Sequence, residues 1–63
     1  MDKETLVREL TAELRVNSSL RHRMGIDGAA EAVSSEADGP LEAVVFEDKD
    51  GKVWALAVLE QEG

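Results

Sequence analysis

Few side chains in this sequence are equipped for chemistry. It has a single histidine, His22, and neither cysteine nor tyrosine among its 63 residues. Proton transfer needs a group held in a shielded cleft beside a matched partner. His22 instead lies in Arg21-His22-Arg23, a basic cluster of the kind that complements the carbonyl end of a helix. Asp48-Lys49-Asp50-Gly51 resembles the opening of a calcium loop, which needs oxygen ligands at its first, third and fifth positions and a glutamate at its twelfth. Counting from Asp48, the fifth residue is Lys52 and the twelfth is Leu59, so the pattern fails twice. One histidine without thiolates builds no zinc site. Gly25-Ile26-Asp27-Gly28 lacks the Gly-Lys-Ser/Thr ending of a phosphate loop. Ser18-Ser19 and Ser34-Ser35 are possible phosphate acceptors, but helix capping accounts for the first pair without modification. The expectation is no catalytic residue, no metal and no cofactor.

What these residues need is a scaffold, and its clearest part is residues 41–60, LEAVVFEDKDGKVWALAVLE. Two strand-like runs flank Asp48-Lys49-Asp50-Gly51-Lys52, whose Asp, Asp and Gly suit a type I turn followed by a glycine at positive φ. This three-residue loop predicts Phe46 opposite Trp54, Val44 opposite Leu56 and Val45 opposite Ala55. A two-residue Asp50-Gly51 loop would slip the pairing and set Trp54 against Val45. In the first register one face holds Val44, Phe46, Trp54, Leu56 and Val58. The other holds Leu41, Ala43, Val45, Val53, Ala55, Ala57 and Leu59. Both are apolar, whereas a half-exposed antiparallel strand alternates apolar with polar. The helices can cover one face; the small-residue face, with Ala43, Val45, Val53, Ala55, Ala57 and Leu59, is the candidate interface.

Upstream, Asp2 suits the cap of a helix from Lys3, with Leu6, Val7, Leu10 and Leu14 recurring at helical spacing. Beyond Val16 the apolar set rotates to Leu20 and Met24, predicting a break with Asn17 capping a short second helix, 18–24, stopped by Gly25. A single bent helix is the alternative. Ala29, Ala30, Ala32 and Val33 suggest an optional third helix capped by Asp27, or else a linker. Ala37-Asp38-Gly39-Pro40 is a strong breaker before the hairpin.

The predicted fold is therefore α+β in a single small domain, 1–63. It has a helical part at 1–24, a short helix or linker at 25–40, and a two-stranded antiparallel hairpin at 41–60, completed by dimerisation. Leu6, Leu10 and Leu14 are expected against Phe46, Trp54 and Leu56. Two strands alone are marginal in water and a chain this short buries a limited core, so a homodimer or a protein partner is expected.

Formal net charge is −7. The surplus sits beyond residue 24, where ten acids face two bases, and Glu42, Glu47, Asp48 and Asp50 form the candidate acidic surface. Such a field disfavours nucleic acid and anionic membranes and favours a basic protein surface. The charged N-terminal stretch MDKETLVREL predicts neither a signal peptide nor a membrane span, hence a cytoplasmic protein. The leading functional expectation is a non-catalytic, acidic protein-binding or regulatory module of inhibitor or adaptor type, whose acidic surface could imitate nucleic-acid charge. The alternatives are a DNA-binding regulator with a helix-turn-helix at 3–24, contacting through Arg21, His22 and Arg23, and a precursor or substrate peptide of a modifying enzyme.

Overall fold

The structure is a computed structural model and describes residues 1–35 and 41–61. Helix α1 spans Lys3–Val16 and α2 spans Ser18–Met24; strands β1, Ile26–Ser35, β2, Leu41–Asp48, and β3, Val53–Ala57, follow. The strands form one antiparallel sheet in the order β1-β2-β3.

Both helices begin and end as their sequence dictates. The Asp2 carboxylate accepts from the Thr5 amide at 2.7 Å, satisfying one of the free N–H groups of the first turn. Asn17 closes α1 through its amide to the Glu13 carbonyl and opens α2 by accepting from the Leu20 amide at 3.0 Å. One side chain thus resets the helix phase where the apolar stripe rotates. Gly25, at φ 67°, ends α2 in the left-handed conformation.

The hairpin has the expected three-residue loop. Phe46 pairs with Trp54, Val44 with Leu56 and Val45 with Ala55. Gly51 has φ 80°, and Asp48 ties the turn together by accepting the Asp50 and Lys52 amides on Oδ1 at 2.8 and 3.0 Å.

Two expectations are corrected. The segment read as a third helix or linker is strand β1, so the sheet has three strands among the described residues rather than two. Alanine's helical preference is worth only tenths of a kcal/mol per residue, less than the gain from pairing β2 along its second edge. Irregularity between Asp27 and Glu31, with Gly28 at φ 80°, lets the strand bend there. The 37–40 breaker lies outside the described residues.

The second correction concerns α1. Its buried residues are Val7, Thr11 and Leu14, while Leu6 and Leu10 remain 37% and 41% exposed. The helix rests on β1 and β2, so Leu14 shares the core with Phe46 as expected, whereas Trp54 and Leu56 on β3 stay half exposed. A helix about 10 Å wide spans about two strands spaced ~4.8 Å apart, so β3 is left beyond its shadow. The core is Val7, Leu14, Ile26, Ala30, Val44 and Phe46, with Leu20, Met24 and Val58 packed against it.

Candidate interaction surface

The register assigns every strand residue to a face, because directly paired residues point the same way. Val44 pairs with Ala32 and Leu56, and Phe46 with Trp54; this is the side on which Val7, Leu14, Leu20 and Met24 pack. The opposite side carries Val33, paired with Ala43, which in turn pairs with Ala57, and Val45, paired with Ala55. No described element packs on that side.

Of the candidate interface residues, Ala43, Val45, Val53, Ala55 and Ala57 therefore share one uncovered face. Val53 is 68% exposed, Ala55 and Ala57 are exposed, and Val45 is half-buried. Ala43 is buried, with Val33 and Ala57 as its neighbours on the adjoining strands. Leu59 lies past the end of β3, 75% exposed. Sequence pattern alone does not place Val33 here, because the alanines around it suit a helix or a linker. It and Leu41, each 43% exposed, extend the apolar patch across all three strands. Asp27, Glu31 and Glu47 belong to the same side by their pairings, giving the patch an acidic rim.

The candidate acidic surface is not gathered in one place. Glu47 lies on the bare face, while Glu42 and Asp48 alternate onto the helix-bearing side. Glu42 accepts from the Ser34 hydroxyl at 2.7 Å. Asp48 is a structural residue: besides its two turn amides, its Oδ2 accepts from the Trp54 indole N–H at 2.8 Å. The indole bond, then the Lys52 and Asp50 amides, hold its carboxyl below its ordinary value. Asp50 is exposed at the turn.

The basic cluster is divided as well. Arg21 donates to the Leu14 carbonyl at 2.8 Å and the Gly28 carbonyl at 2.6 Å, so its guanidinium braces α1 and β1 against α2. His22 and Arg23 are exposed. Arg15 makes a similar brace to the Ala30 carbonyl at 2.5 Å. A shallow depression of about 400 Å³, lined by Arg8, Thr11, Ala12, Arg15, Glu31 and Ala32, sits beside it. Arg8 there is paired with Glu4, so the depression's cations already have partners.

Among the described residues no group of three or more His, Asp or Glu could hold a metal ion, and no described helix is long and apolar enough to cross a membrane. Compared with protein-family models, with curated proteins and with solved structures, the chain matches none.

Proposed function

We propose that this chain is a non-catalytic protein-binding module of inhibitor or adaptor type, and that it binds through the sheet face opposite its helices. The carrying observation is that Val33, Leu41, Val53, Ala55 and Ala57 stand exposed on that face while both helices occupy the other. Contiguous apolar surface bordered by polar groups marks interaction sites on soluble proteins. The rim of Asp27, Glu31 and Glu47, together with the net charge of −7, favours a partner with an apolar strip flanked by lysine or arginine. Small side chains in the centre of the patch let a partner strand or helix approach closely.

Val53→Glu tests this reading, since Val53 is 68% exposed and its replacement should leave thermal melting unchanged. The wild-type chain should retain a basic partner from native extract, releasing it at raised salt, and the variant should lose it. Retention of the same partner by both proteins would refute the assignment of the face.

Self-association is a second reading, favoured by a different observation: the outer edge of β3 has no strand paired to it among the described residues.

A further inference from the structure

We propose that two copies of this chain join by antiparallel pairing of their β3 strands about a two-fold axis at Leu56, with Lys52 of each copy opposite Glu60 of the other. The proposal deepens the self-association reading by naming the edge and the register.

The hydrogen-bond pattern fixes which groups are free. The Asp48 amide donates to the Lys52 carbonyl at 2.8 Å, and the Val58 amide donates to the Glu42 carbonyl at 3.0 Å. In an antiparallel ladder such rungs alternate, so Lys52, Trp54, Leu56 and Val58 turn their peptide groups toward β2. Val53, Ala55 and Ala57 turn theirs outward. An edge of this kind is normally blunted by proline, a bulge or inward charge, yet residues 53–59, VWALAVL, contain no proline and no charge.

Charge lies only at the two ends of that run, Lys52 before it and Glu60 after it. Two antiparallel copies centred on Leu56 bring each lysine to the other copy's glutamate and make rungs between Ala55 and Ala57 of the second copy. Moving the axis to Ala55 keeps the rungs but sets Glu60 opposite Asp50, two like charges. Moving it to Ala57 sets Glu60 opposite Trp54. Shifts by half a step pair outward with inward groups and lose the hydrogen bonds. Of these three centres, Leu56 alone pairs Lys52 with Glu60, the two charges that bound the apolar run, while keeping the rungs.

This register also covers surface that one copy leaves open. Trp54 and Leu56 point to the helix-bearing side yet are 49% and 44% exposed. In the pair Trp54 meets Val58 of the second copy and Leu56 meets its own equivalent. A two-fold axis perpendicular to the sheet keeps all helices on one side. Leu6, which lines a small recess with Val58, Leu59 and Glu60, then flanks the new strand pair. Leu10 follows one turn along α1.

Sedimentation equilibrium on the full chain, with Lys52→Glu, Glu60→Lys and the double exchange, tests the register. The wild type should dimerise. Each single exchange turns two symmetric contacts from opposite to like charge and should weaken the dimer about tenfold, and the double exchange should restore it. General repulsion predicts the reverse for Glu60→Lys, which makes the net charge of −7 two units less negative and would tighten association. Ala55→Pro removes an outward amide that β2 does not use and should give a monomer with an unchanged far-ultraviolet spectrum. A wild type still monomeric at about 1 mM overturns the proposal and the self-association reading together. A dimer that Glu60→Lys does not weaken, or that the double exchange fails to restore, overturns the register alone.

Discussion

Phe46 and Trp54 are directly paired and share a face, yet the structure treats them differently, and truncating each to alanine measures the difference. Phe46 is 6% exposed and belongs to the core cluster with Val7, Leu14 and Val44. Its removal loses the transfer energy of a buried ring and leaves a cavity beneath α1, a loss of about 3–5 kcal/mol. Trp54 is 49% exposed, so roughly 100 Å² of its apolar contact is lost, worth about 2 kcal/mol at ~25 cal/mol per Å². Water fills the vacated space, so no cavity term is added. A 63-residue domain has a total stability of roughly 3–9 kcal/mol. Phe46→Ala should therefore leave the chain largely unfolded in buffer, while Trp54→Ala should retain a cooperative transition at a lower urea midpoint. Far-ultraviolet circular dichroism at low protein concentration is the suitable assay, since it does not depend on the indole and keeps association out of the comparison. Equal losses from the two variants would refute the placement of α1 over β1 and β2, because only a helix reaching β3 would bury both rings alike.

Other consequences follow from single contacts. Arg21→Ala deserts the carbonyls of Leu14 and Gly28 and should cost about 1–2 kcal/mol in urea unfolding; an unchanged midpoint would show the brace to be idle. Gly51→Ala forces a side chain onto φ 80° and should cost about 1 kcal/mol, read as a lower melting temperature. Asp48 and Asp2 both have carboxyls held below the ordinary 3.8. Their stabilisation is present above that value and is lost as pH falls through the lower folded-state values. Asp48→Asn should flatten the acid limb of a stability–pH curve; an acid limb identical to wild type would remove Asp48 from the account.

The helical third of the chain was legible because its signals are local. Asp2, Asn17 and Gly25 act within one turn of the backbone they cap, and the phase change after Val16 is visible in sequence spacing. The hairpin was legible for the same reason: Asp48, Asp50 and Gly51 specify a loop length, and loop length specifies register. What sequence could not give was β1. Its alanines and serines have no preference strong enough to name a strand, and the partner that makes them one, β2, lies beyond residues 36–40 in the chain. From that omission followed the misplacement of α1, since with two strands the helix had only the hairpin to cover. The unbroken apolar run at 53–59 asks for cover on both faces, and the small side chains of Ala43, Ala55 and Ala57 point to the face that the helices leave, which is the face on which no described helix packs. Residue type alone could not show that Asp48 and Arg21, read as surface charge, are consumed in bonds to Trp54 and to backbone carbonyls.

The same shortage of material explains the bare face and the open edge together. Helix α1 has 14 residues and α2 seven, enough to shield one side of two strands. Alanines at β1 make even that possible: Ala30 is fully buried, which brings the helix backbone near enough for Arg15 to reach the Ala30 carbonyl. A larger residue there would lift α1 away and strip the cover from Val44. With the helices committed, no described element covers the side bearing Ala55 and Ala57 or the rim of β3. Uncovered apolar sheet invites indiscriminate stacking, and the charge of −7 opposes it by making every copy repel every other. Against that background an encounter persists only where it supplies compensating contacts. In the two proposals above, a basic partner on the face would supply them by neutralising Asp27, Glu31 and Glu47, and a second copy at the edge would supply them by matching Lys52 to Glu60. These two surfaces are distinct, so a pair of chains joined along β3 would present two bare faces side by side as one continuous binding sheet.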